Sequence, residues 1–292
     1  MSNGHHRPIV VGIDGSPSAL AAARWAATTA SLQHRPLRFV HAYGVPLAYT
    51  TSITDVDGLR KAMTEQGQEW LEDARQAVAA DGPVPELAAA EVGAGVLLTN
   101  ETKSAAMLVL GGRESGGIAG LLVGSTAAAV VGHAHCPVVV VRGEVSTAGA
   151  IVLGVDGTTV GETAIGFAFA EAAARGRDLV AVHTWTDTLL NEFLQVGSTL
   201  AIGPARDEAK ELLAERLAGW QEKYPDVKVT RVVTHERPVP ELLRQASGAV
   251  MVVVGTRGRG GFPGLMLGST SQQLLHHSPC PVAVVPTGTD TR

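Results

Sequence analysis

Residues 255–270 read Gly255-Thr256-Arg257-Gly258-Arg259-Gly260-Gly261-Phe262-Pro263-Gly264-Leu265-Met266-Leu267-Gly268-Ser269-Thr270, a glycine-rich stretch between a valine run and a helix-forming segment. Glycine admits positive φ and close backbone approach, so the amides of such a loop converge on an anion. Arg257 and Arg259 add charge-assisted donors for phosphate oxygens. Ser269 and Thr270 supply hydroxyls and amides at a helix N-terminus, where the macrodipole favours negative charge. The chemistry on offer is polyphosphate binding. Glycine is also the default turn residue, so a purely structural connection is the competing reading. The loop is neither of two common phosphate motifs. No Lys-Ser or Lys-Thr follows its last glycine, and it follows the fourth strand of its unit rather than the first.

The loop has a twin, because the second half of the chain repeats the first. Ile9-Val10-Val11-Gly12-Ile13-Asp14-Gly15 recurs as Ile151-Val152-Leu153-Gly154-Val155-Asp156-Gly157, an offset of 142, and Gly124-Ser125-Thr126 recurs as Gly268-Ser269-Thr270, an offset of 144. The twin reads Gly111-Gly112-Arg113-Glu114-Ser115-Gly116-Gly117, with Glu114 where the second copy has Gly258 and Ser115 in place of Arg259. A carboxylate ~5 Å from a phosphate costs on the order of 3 kcal/mol at an effective dielectric of about 20, unless it swings into water. The first copy is therefore expected to bind an anion more weakly. Asp14 and Asp156 end the first strand of each copy. Such an Asp serves either as a turn or cap residue or as a hydrogen-bonding and indirect Mg²⁺-holding group.

Each copy alternates short β-branched runs with amphipathic stretches, which predicts βαβ units and a parallel sheet. Strands are expected near 8–14, 36–42, 86–92, 106–111 and 137–142, and again near 150–156, 178–184, 228–234, 249–255 and 281–286. Runs such as Val138–Val141 are apolar without alternation, as in strands covered on both faces. Ser16-Pro17 predicts an N-cap and a first helical residue, with helix to about Ala30. Ala209, Leu212, Leu213, Leu217 and Trp220 recur at helical spacing as a core face, and Pro225 ends that helix. Domains are expected over 8–142 and 150–286, joined by a small, polar linker at 143–149. The offset change places a net two-residue insertion between the second and fourth strands of the second copy.

Composition excludes several classes. The 292 residues are 45% hydrophobic and 17% charged, as in ordinary globular domains. A net charge of −5 leaves no basic footprint for nucleic acid. No apolar run approaches the ~18 residues that span a bilayer, and Met1–Pro8 is polar with no signal-peptide core, so a cytoplasmic protein is expected. Cys136 and Cys280 occupy equivalent places before Pro and a valine-rich strand, and are read as small buried apolar residues. His133, His135 and Cys136 do not keep their spacing in His276, His277 and Cys280, so no metal site is expected.

Gly255-x-x-Gly258, nine residues, then Gly268-Ser269 resembles the ATP-binding pattern of universal stress proteins. The strand ends Ile13-Asp14 and Val155-Asp156, the His41-Ala42 and His183-Thr184 pairs, and the Cys-Pro-Val endings resemble the same family across nearly the whole chain. The resemblance implies two tandem, doubly wound α/β domains of the adenine-nucleotide alpha-hydrolase-like kind, each with a five-stranded parallel sheet. Adenine would lie between the ends of strands 1 and 2, with phosphates on the glycine loop. By position, Gly12, Asp14 and Ala42 would line the first pocket with Gly111, Gly112, Arg113, Gly116, Gly117, Gly124, Ser125 and Thr126. Gly154, Asp156, Thr184 and Asp187 would line the second with Gly255, Thr256, Arg257, Gly258, Arg259, Gly260, Gly261, Gly268, Ser269 and Thr270. It further implies ATP, with or without Mg²⁺, as ligand, a role in stress survival, dormancy or growth control, and a homodimer whose two repeats form an internal pseudo-dimer. Two other readings compete: a slow ATPase or phosphotransferase, and a scaffold with vestigial pockets. The glycine loops contain no Lys, and only the strand-end Asp residues recur near both, which argues against an efficient enzyme.

Overall fold

The computed structural model describes residues 7–44, 55–112, 125–185, 202–258 and 267–287. Contacts divide the chain between Arg142 and Gly143 into two compact units. The first runs β1 (Ile9–Gly12), α1 (Pro17–Gln33), β2 (Leu37–Tyr43), α2 (Val56–Ala77), β3 (Glu86–Glu91), α3 (Ala94–Glu101), β4 (Met107–Gly111), α4 (Ser125–His133), β5 (Val138–Val141). The second runs β6 (Ile151–Val155), a 3₁₀ turn (Thr159–Gly161), α5 (Glu162–Arg175), β7 (Leu179–Thr184), α6 (Ile202–Lys223), β8 (Val229–Thr234), α7 (Pro238–Ala246), β9 (Met251–Gly255), α8 (Ser269–His277), β10 (Val282–Val285).

Within the first unit the strands lie in the order β3-β2-β1-β4-β5, and within the second β8-β7-β6-β9-β10, all parallel. The chain winds outward from β1 to β3, then crosses to β4 and β5. The strand order therefore reverses between β1 and β4, and between β6 and β9, and ligands of open α/β sheets bind beyond the carboxyl ends at such a point. Leu37 and Leu179 are 142 apart, whereas Glu86, paired with Arg38, and Thr230, paired with the equivalent Val180, are 144 apart, as are Met107 and Met251. The whole two-residue insertion therefore lies between the second and third strands of the second unit.

The central strands are apolar because both faces are covered. Ile9, Val10, Val11, Leu108 and Val109 are fully buried, as are Ile151, Leu153, Val252 and Val253. Helix α1 reaches the sheet closely because its inward face is alanine: Ala19, Ala22, Ala23, Ala26, Ala27 and Ala30 are buried. Ser16 caps it as expected, its Oγ accepting from the Ala19 amide at 3.1 Å, with Pro17 in the first turn. The second unit has β-branched Thr159 and Val160 where α1 has Pro17 and Ser18, and there a 3₁₀ turn precedes α5. In α6, Ala209, Leu213 and Leu217 are buried as expected, whereas Leu212 and Trp220 are half-buried. Trp220 instead stacks with Phe169 and Tyr224 at 6.3 Å each, against Gly166 of α5.

Both cysteines are free and buried. Burial pushes the Cys136 thiol up to about 12. Neither cysteine is expected to react with an alkylating reagent at pH 8 in the native protein, and both should react in denaturant, as counted by mass. The same shift sets a pH dependence. Between pH of about 9 and 12 the unfolded chain releases a proton that folded Cys136 keeps, so this group lowers stability as pH rises through that window.

Candidate functional site

At the switch point of the first unit, Asp14 follows β1 and is exposed. Its Oδ1 accepts from the Ser16 amide at 3.1 Å and the Ser16 hydroxyl at 2.6 Å. Gly15 between them has φ 78°, the left-handed region. A Cβ there would lie 2.4 Å from the Trp70 indole, so α2 lays an aromatic ring flat on the turn. Trp70 also meets His41 of β2 edge-on, with ring centroids 5.3 Å apart.

The second unit repeats the turn with different cover. Asp156 Oδ1 accepts from the Thr158 amide at 2.9 Å and from its hydroxyl at 2.8 Å. Gly157 has φ 79°, and its carbonyl accepts from Arg216 Nε at 3.2 Å. Arg216 holds the place on α6 that Trp70 holds on α2, each being the fifteenth residue of its helix. Asp156 is half-buried where Asp14 is exposed. Part of that cover is the backbone of Gly258, whose built Cβ would lie 3.4 Å from Asp156 Oδ2.

The glycine loop after β9 begins and ends at one point. The Thr256 amide donates to Val285 at 3.0 Å, and its carbonyl accepts from the Gly268 amide at 2.7 Å. Ser271 Oγ reinforces the closure by donating to the Gly268 carbonyl at 2.9 Å and the Thr256 carbonyl at 3.3 Å. Gly268 is then the N-cap of α8 and makes no side-chain cap bond. The first-turn amides of α8, at Ser269 and Thr270, therefore open next to the loop without a side-chain acceptor from the N-cap. Arg257 is exposed at the loop's exit from the sheet.

The structure thus brings Asp156, Gly258, Gly255 and Gly268 to the carboxyl edge between β6 and β9. Thr256 is there too, but buried, its backbone used to close the loop. Thr184 and Ala42 sit half-buried in the last residues of β7 and β2. Several expected glycines have a packing reason of their own. A Cβ on Gly12 would lie 2.9 Å from Leu110 and 3.2 Å from Leu98, and one on Gly154 3.0 Å from Val254 and 3.3 Å from Leu242. One on Gly111 would lie 2.5 Å from the Ser18 backbone, so β4 must end in glycine to admit α1. Gly112 donates its amide to Val141 at 2.8 Å. Thr126 stands half-buried in α4, and Ser125 begins that helix. Arg113, Glu114, Gly116, Gly117, Gly124, Asp187, Arg259, Gly260 and Gly261 lie outside the described residues. Among the described residues no group of three His, Cys, Asp or Glu side chains could hold a metal ion, and no helix is long and apolar enough to cross a membrane.

Sequence reasoning missed Trp70 and Arg216. Gly67, three residues before Trp70, leaves room for the His41 ring, which a Cβ there would meet at 2.3 Å.

Comparison with known proteins agrees with this architecture. The profile of the Universal stress protein family matches residues 5–142 and again 148–286. A universal stress protein of Mycobacterium tuberculosis is 38% identical over 288 residues, covering 94% of this chain and 95% of the relative. One from Mycolicibacterium smegmatis is 38% identical over 290 residues, covering 95% and 96%. A crystal structure of a universal stress protein from Archaeoglobus fulgidus superimposes with a TM-score of 0.71 at 18% identity, covering 99% of this chain and 100% of that one. Two matches to one profile, on two units with the same strand order, make this chain a tandem-domain member of the universal stress protein family.

Proposed function

We propose that this chain is a cytoplasmic, nucleotide-dependent regulator of stress survival, dormancy or growth that binds ATP at the switch point of each unit and does not turn it over efficiently. One observation carries the reading: α8 opens on Gly268 with no side-chain cap, at the foot of a loop pinned shut at Thr256 and folded against Asp156. Uncapped amides at a helix N-terminus take an anion, and a polyphosphate tail supplies several oxygens for them. The exposed Arg257 adds a cation, and the strand-end Asp156 lies against Gly258 at the start of the loop. Among the described residues the site offers donors for a phosphate tail, and its strand-end carboxylate Asp156 is engaged by the Thr158 amide and hydroxyl, which favours binding over transfer. Ligand held by the folded form alone adds about 2.7 kcal/mol of stability at roughly 100-fold above Kd, and biases any partner that distinguishes the two states.

The test is mass spectrometry of small molecules released when the purified full chain is denatured. Adenine nucleotide in near-stoichiometric amount is expected. An empty protein that also fails to bind added ATP points to the scaffold reading instead. A steady-state assay completes it: product formation lost in Asp156→Ala returns the ATPase reading.

A further inference from the structure

Both units carry a buried histidine in the second strand, and both use it in one way. His41 Nδ1 lies 2.7 Å from the Ile13 carbonyl oxygen, and His183 Nδ1 lies 2.7 Å from the Val155 carbonyl oxygen. His41 is 6% exposed and His183 1%, so these bonds are shielded from water. A carbonyl oxygen only accepts, so Nδ1 must carry the hydrogen in each ring. In both units the acceptor belongs to the residue just before the strand-end Asp. The Ile13 amide donates to the Val40 carbonyl at 2.9 Å, so backbone and side chain together tie the end of β1 to β2. At this edge the two strands would otherwise begin to part, and the chain turns sharply through a glycine of positive φ.

We infer that His41 and His183 are positioning residues: each donates Nδ1–H to the last carbonyl before Asp14 or Asp156 and thereby fixes where that carboxylate stands at the switch point. The peptide plane that starts at this carbonyl ends at the Asp nitrogen. Rotating it swings the Cα–Cβ bond of the Asp, and with it the acceptor for Ser16 or Thr158. Other residues pack on the first of these rings. Trp70 meets His41 edge-on, and Gly67 leaves it room, so that ring is braced in one orientation. The ligand-binding part of this inference rests on the nucleotide reading above; the tautomer and the held turn do not.

The test has arms that separate those two claims. Long-range ¹⁵N–¹H NMR of the full-length protein should show both imidazoles protonated at Nδ1; a ring protonated only at Nε2 overturns the inference for that unit. His183→Leu should speed amide hydrogen exchange at Thr158 at least tenfold. His183→Asn, whose side-chain NH₂ falls near Nδ1, should restore it. If nucleotide binds, His183→Leu should weaken it about tenfold and His183→Asn should recover most of the loss. Exchange unchanged in His183→Leu, or changed equally in the Asn variant, overturns the positioning role. Unchanged exchange with normal nucleotide binding does so as well. Changed exchange in a protein that binds no nucleotide upholds the role and removes the ligand reading alone.

Discussion

Gly15→Ala is expected to destabilise the first unit by about 3 kcal/mol, and Gly176→Ala to destabilise the second by only about 1 kcal/mol. The two glycines have similar backbone torsions, φ 78° and φ 60°. An L-residue in this region costs roughly 1–2 kcal/mol, and that much is common to both. The difference lies in the surroundings. A Cβ on Gly176, the C-cap of α5, meets nothing within 4 Å. One on Gly15 would lie 2.4–2.6 Å from three atoms of the Trp70 ring. That ring is a rigid plane, with His41 at its edge, so it has to shift as a body. Overpacking of this kind costs roughly 1–3 kcal/mol. At about 2–4 °C per kcal/mol, the melting transition of the first unit should fall by roughly 10 °C. The cycle with Trp70→Ala isolates the cause: if the ring is the obstacle, the second Gly15→Ala penalty shrinks to the Gly176 value. Equal penalties with and without Trp70 would defeat the argument.

That collision also marks the limit of what the chain says by itself. The inner strands were legible because Val, Ile and Leu run with little alternation between turn signals, as doubly buried parallel strands do. The outer strands β3 and β8 hold no buried residue and were legible from their place in the repeat. The first helix was legible because Ser16 and Pro17 act locally, through a cap bond three residues away. The switch-point acids and the glycine loop were legible because each occurs twice at nearly one offset. Trp70 and Arg216 were not, because which residue of α2 or α6 lands on the turn depends on how the helix docks. No local signal sets that register. The glycines divide along the same line. Gly12, Gly111 and Gly154 stand in the expected places, yet their missing side chains make room for Leu98, the Ser18 backbone and Leu242. A glycine near a crevice and a glycine for the crevice look alike in sequence.

The largest effect on ligand binding is expected from Gly258→Glu, which gives the second unit the carboxylate that the first carries at Glu114. A Cβ at position 258 would lie 3.4–3.9 Å from Asp156, which is ordinary contact, so Gly258→Ala should bind nucleotide within about twofold of the parent. Size is therefore not the obstacle at this position. Charge is. A glutamate here faces both the Asp156 carboxylate and any phosphate held by the α8 amides. Two unit charges ~5 Å apart repel by about 3 kcal/mol at an effective dielectric of about 20, a loss exceeding a hundredfold in affinity for ATP. The loss should shrink for AMP, whose tail carries less charge, and vanish for adenosine. It should also fall with added salt, since the site opens to solvent. Gly258→Gln separates charge from bulk and should lose only a small part of the affinity. Isothermal titration of the four proteins against the three ligands reads all of this. An equal loss for ATP and adenosine would place the damage in the fold of the loop. No loss at all would place the phosphates elsewhere.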